Sequence, residues 1–160
     1  MKKWVIIITF FVLLLVSWTS WHIYRGNADY EAKAAHTAVQ KAKKGFKINK
    51  IESVTYYHGT ESYQVIKGIK SGRQWYVWVP DKKSEGRFIE RPVKSGITRN
   101  QALQALAALH LDVRQIVSVR LGAIKGNPVW EITFLNAGKK YNYVAFYYDT
   151  GKEAQRILNI

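Results

Sequence analysis

The sequence predicts an α+β protein: an N-terminal apolar helix, then two tandem modules, each a single helix laid on a four-stranded antiparallel sheet. Three observations carry that prediction. Between Trp4 and Val16 only Thr9 is polar, and the run reads on through Ser17 to Trp21. The rest of the chain repeats at an offset of 67 positions (102 − 35), which lays Ala35 on Ala102, Val39 on Leu106, Val65 on Ile132 and Tyr76 on Tyr143. In both copies a stretch of helical spacing is followed by stretches that alternate at strand spacing.

The first element sets the location. From Trp4 to Tyr24 there are 21 positions, which as a helix span about 30 Å, one hydrocarbon core. Trp4 stands at one end, and Trp18, Trp21 and Tyr24 stand at the other, where rings with one apolar and one wet edge favour the headgroup level. Lys2 and Lys3 precede the run and argue for a cytoplasmic N-terminus. Residues 1–24 are therefore expected to be a single-pass anchor in the cell membrane, with the modules on the extracytoplasmic side. A cleaved signal peptide is the alternative, but Ser17-Trp18-Thr19 is a poor cleavage site and Gly26-Asn27-Ala28 lies far beyond the apolar run.

Residues 25–95 form the expected first module. Ala28, Ala32, Ala35, Val39, Ala42 and Phe46 step by four, three, four, three and four, one stripe of a helix. Asn27 suits its start, Gly45 the left-handed residue past its end, and Lys41, Lys43 and Lys44 complement its C-terminal dipole. Strands are expected at residues 51–58, 62–69 and 74–79, with Pro80 ending the third, and a short fourth at residues 87–90. In the third strand Tyr76 and Trp78 face away from Trp75, Val77 and Val79. A one-sided sheet would expose them, and Tyr76, Trp78 and Pro80 are accordingly the expected partner-binding residues. Packing against the other module would instead bury them.

Residues 96–160 form the second module. Thr98-Arg99-Asn100-Gln101 is a capping-box pattern, and Ile97 can staple onto Ala102. Ala102, Leu106, Leu109 and Val113 give the buried stripe. Strands are expected at residues 115–124, 128–135, 140–148 and 154–160.

Composition bounds the chemistry. The chain carries +14 overall, and the part after the anchor +12 (23 basic against 11 acidic residues). Such a field favours polyanions. Lys41, Lys43, Lys44, Lys47 and Lys50 form a basic run that is the expected contact for anionic wall polymer or lipid headgroups. The absence of Cys excludes disulfides, a thiolate metal site and a thiol nucleophile. His22, His36, His58 and His110 show no ligand spacing, so no metal and no cofactor are expected. No H-E-x-x-H, G-x-S-x-G or phosphate loop is present, and no catalytic residue is assigned. Glu52 and Glu61 could approach across the first hairpin as a hydrolase pair, but two solvated strand-end acids explain them better. Arg73-Gln74-Trp75-Tyr76-Val77-Trp78 could stack bases, yet core packing accounts for Trp75 and the extracytoplasmic location argues against nucleic acid.

Tyr76-Val77-Trp78-Val79-Pro80, Trp130-Glu131-Ile132 and Asp149-Thr150-Gly151-Lys152 resemble the TseB-like family of low-GC Gram-positive bacteria. The first of these motifs is the most specific, and the resemblance runs over essentially the whole chain. It implies a single-pass envelope protein with two PepSY-type, cystatin-like modules. It also implies a non-enzymatic regulator of cell-wall elongation that binds an envelope enzyme such as a penicillin-binding transpeptidase.

Overall fold

The computed structural model describes residues 2–82 and 86–160. The side chains of residues 2, 3, 5, 6, 23 and 26–30 lie outside that description. The chain divides into two compact units, Met1–His36 and Thr37–Ile160.

Helix α1 runs Lys2–Phe46. It does not begin at Asn27, because the backbone is helical through that position, and its cap side chain lies outside the described residues. In the first unit Ile7, Ile8, Phe10, Leu13, Trp18 and Trp21 are all exposed, between 48% and 64%. Among the described residues no helix is long and apolar enough to cross a membrane. The transmembrane helix expected over residues 1–24 is thus not found as such.

The second unit holds two four-stranded antiparallel sheets. Sheet A comprises β1 (Lys50–His58), β2 (Ser62–Lys70), β3 (Arg73–Pro80) and β4 (Ile89–Pro92), in that spatial order. A 3-10 turn, Val93–Ser95, leads to helix α2, Arg99–Ala108. Sheet B comprises β5 (Gln115–Ile124), β6 (Asn127–Leu135), β7 (Tyr141–Tyr147) and β8 (Glu153–Ile157), in that order. The mixed α+β architecture with two similar sheets follows the sequence expectation. β4 begins two residues later than expected, after Arg87-Phe88.

The repeat is real in structure but its offset differs. A register break falls between Ile51 and Ser53 in β1 and between Ile116 and Ser118 in β5. The first strands are therefore related by 65 positions (116 − 51), while Tyr76 and Tyr143 still correspond. One offset cannot serve the whole chain, because the turns differ: β1 and β2 close at His58 and Ser62, whereas β5 and β6 close more tightly at Ile124 and Asn127.

Each sheet has its helix. Ala38 and Ala42 of α1 are buried with Ile48, Ile66, Val77 and Val79, flanked by Val39 and Phe46. The expected stripe of Ala28, Ala32, Ala35, Val39, Ala42 and Phe46 meets the sheet in its last turns, where Val39, Ala42 and Phe46 pack together with Ala38; Ala32 is exposed. Gly45 is helical, and the left-handed residue past the end is Lys47 (φ 56°). In α2 the capping box forms as the sequence predicts. Thr98 Oγ1 accepts from the Gln101 amide at 3.2 Å, and Gln101 Oε1 accepts from the Thr98 amide at 2.8 Å. Ala102 and Leu106 are buried; Leu109 caps the helix and His110 (φ 52°) leaves it.

One large hydrophobic cluster joins the two copies. It contains Tyr63, Val65 and Trp78 from sheet A, Ala102 and Leu106 from α2, and Trp130, Ile132 and Phe146 from sheet B. The modules expected at 25–95 and 96–160 therefore share a core.

Candidate functional site

The expected partner surface lies inside this joint. Trp78 is 0% exposed, Pro80 is buried and Tyr76 is half-buried. Their cross-strand register explains why all three travel together: Tyr63 pairs with Pro80, Val65 with Trp78 and Lys67 with Tyr76, so they share one face. That face meets Tyr148, whose ring lies 5.8 Å from Trp78 and 6.0 Å from Tyr76, edge-on to both. The Tyr148 hydroxyl donates to the carbonyls of Pro92 and Val93 at 3.0 and 2.9 Å. The exposed aromatic patch expected at Tyr76, Trp78 and Pro80 does not form, because the second module covers it.

Further polar contacts fasten the copies. Arg91 pairs with Asp149 at 3.0 Å; within the second copy, Trp130 Nε1 donates to the Ile97 carbonyl at 2.8 Å. Glu61 accepts from the Tyr63 hydroxyl at 3.0 Å and from the Gly126 amide at 3.2 Å, while Arg87 donates to the Gly126 carbonyl. Burial pushes the Tyr63 and Tyr148 hydroxyls up to about 12. Glu52 is occupied elsewhere: Gln74 donates to it and Lys67 pairs with it at 3.1 Å, which lowers its carboxyl from the ordinary value. The two glutamates considered as a hydrolase pair thus serve separate structural contacts.

A pair that the sequence analysis missed lies where the first hairpin meets sheet B. The Tyr57 hydroxyl donates to Glu131 Oε2 at 3.0 Å. Burial raises the Glu131 carboxyl, and the Tyr57 hydrogen bond and Arg120 oppose the rise. The ring rests on Gly122, where a Cβ would fall inside it. Beside this pair is a hollow of about 290 Å³ lined also by Tyr143, Ile157 and Ile160. The separation of 74 positions between Tyr57 and Glu131 kept the pair out of any local pattern; the Gly122 position in a strand was the available signal.

The basic run is where the sequence places it. Lys43, Lys44, Lys47 and Lys50 are exposed and Lys41 is half-buried. Among the described residues none of the five lies within ion-pair distance of a carboxylate. Beside it runs an open groove of about 570 Å³ between α1 and the segment before β4. Phe46 and Phe88 wall it, their rings 5.8 Å apart, and Thr37, Gln40, Lys41 and Lys44 line the helix side. Lys41 Nζ stands 6.0 Å over the Phe88 ring. Phe88 was not singled out from the sequence, since nothing local distinguishes one phenylalanine in a polar connection.

A family model described as "Cell wall elongation regulator TseB-like domain" matches residues 37–80, the segment that carries the basic run and the Tyr76–Pro80 strand. The chain is 32% identical over 153 residues to "Probable cell wall elongation regulator TseB" of Bacillus subtilis (strain 168), covering 94% of this chain and 91% of the relative. Among solved structures it is similar to "YpmB protein from Bacillus subtilis", with a TM-score of 0.70 and 28% identity over 76% of this chain and 94% of that one.

Proposed function

The chain belongs to the TseB-like family of cell wall elongation regulators, and from that premise we propose that it regulates wall elongation by contact, without catalysis. The observation that carries the proposal is the 32% identity, over nearly all of the chain, to a protein named as such a regulator. The partner in this reading is an envelope enzyme, with a penicillin-binding transpeptidase the first candidate. The protein works from the outer face of the cell membrane, tethered by residues 1–24 with the N-terminus in the cytoplasm. Two features of the first unit favour the tether. Its apolar side chains point outward rather than into a core. Two of its hydroxyls turn back on the helix, Ser17 to the Leu13 carbonyl at 2.8 Å and Thr19 to the Leu15 carbonyl at 2.9 Å, so these two need no water.

The test is site-specific photocrosslinking in intact cells from exposed positions such as Lys43 and Tyr141, with the captured protein identified. Capture of a wall-synthesising enzyme supports the proposal. Crosslinks that never include an envelope enzyme, with the protein present at normal level, contradict it.

The five unpaired lysines favour a second reading, docking on anionic wall polymer or headgroups. That binding weakens steeply with salt; binding indifferent to salt removes it.

A further inference from the structure

A regulator that acts by contact needs a surface for it, and the groove beside the last turns of α1 has the chemistry of one. We infer that this groove receives an acidic segment of the envelope protein, one apolar side chain seated against the paired rings of Phe46 and Phe88 and its flanking carboxylates over Lys41, Lys44 and Lys47. The inference rests on the contact reading above and names its site and the chemistry of its partner.

Three observations converge. The walls are aromatic, and Phe88 is 38% exposed where a polar residue would cost nothing. The helix side of the groove presents Thr37, Gln40, Lys41 and Lys44, positions three and four apart that share one flank. The lysines have no carboxylate of their own among the described residues. A helix C-terminus carries about half a negative charge, so Lys43, Lys44 and Lys47 more than offset it and the groove mouth is cationic. A polyol phosphate would engage the lysines and leave both rings in water. An acidic peptide with an apolar residue uses both features, and burying that residue adds affinity that charge alone lacks.

Gly45 provides a clean probe of the groove. A Cβ there meets nothing within 4 Å, and Gly45→Leu exchanges a poor helix former for a good one. The variant fills the groove without disturbing the fold, which an unchanged or raised melting temperature verifies.

The experiment is fluorescence polarisation with the full chain in non-ionic detergent. The probes are heptapeptides of Asp and Glu with Phe, Leu or Ala at the centre, and a labelled poly(glycerol phosphate). The Phe or Leu peptide binds about tenfold more tightly than the Ala peptide. Gly45→Leu and the double variant K41Q/K44Q each lose about tenfold for the Phe peptide. Equal affinity for the Phe, Leu and Ala peptides overturns the inference. So does tight binding of poly(glycerol phosphate) that Gly45→Leu leaves unchanged, which makes the lysines a polyanion site. Crosslinking in cells separates this from the wider reading: an envelope enzyme captured from position 141 but not from position 43, beside the groove, overturns the groove alone, and capture from neither overturns the contact reading itself.

Discussion

Sheet A has the last turns of α1 against one face and the second module against the other, whereas sheet B has α2 against one face and a row of tyrosines on the other. Tyr143 and Tyr147 are half-buried there and Tyr141 is 46% exposed. Tyr57 from the first hairpin covers only the part around Gly122 and Glu131. The strands correspond, Tyr76 with Tyr143 and Trp78 with Ala145, so the same face is a joint in one copy and partly open in the other. In a tandem pair, the first copy's free face becomes the second copy's seat. Residue chemistry sets which faces are apolar; position in the array sets which of them stays in contact with water.

The largest way to break that contrast is Trp78→Ala, which empties a fully buried site in the joint. It costs about 3–5 kcal/mol, and urea unfolding followed by circular dichroism and by fluorescence remains a single coincident transition. Separate transitions for the two sheets would mean that the copies do not depend on the joint. Gly122→Leu comes next: it drives the Tyr57 ring from its seat and costs about 1–3 kcal/mol in the same assay.

Alkali probes the joint without mutation. Tyr63 and Tyr148 keep their protons to about 12 in the folded chain, against about 10 when unfolded. The folded state then binds more protons than the unfolded one, so the stability they contribute is complete below pH 10 and lost between pH 10 and about 12. A stability profile flat across that window contradicts their burial. Tyr57→Phe removes the hydroxyl from Glu131 and costs about 1 kcal/mol. Because burial raises Glu131, its contribution to stability also falls as pH rises above the ordinary carboxylate range. Glu131→Gln, which still accepts from Tyr57, removes that dependence. The smallest effect belongs to the open face: Tyr141→Ser changes stability by about 0.5 kcal/mol or less.

Local patterns were legible and non-local ones were not. Thr98 and Gln101 sit three apart, so their capping box could be read directly. The hairpins of both sheets, marked by Gly and Asn between alternating runs, were placed within two residues. The face of α1 was legible in its last turns, where Val39, Ala42 and Phe46 meet the sheet; the share of Ala38 was not, because Ala recurs on several sides of that helix and only the packing of Ile48 and Ile66 selects it. Exposure of Tyr76 and Trp78 depended on Tyr148, 70 residues beyond Trp78 (148 − 78), and no spacing rule connects them. The basic run was legible because charge stays at the surface wherever the chain goes. Its groove was not, since Phe88 joins Phe46 only after sheet A has formed.

The most direct test of the shared joint is native-state hydrogen exchange of the full chain. The account predicts that the slowest amides of β2 and β3 and those of β6 and β7 exchange together, with one opening free energy, and that Trp78→Ala lowers both sets equally. Slow amides in sheet B that keep their protection while those of sheet A lose it would contradict it.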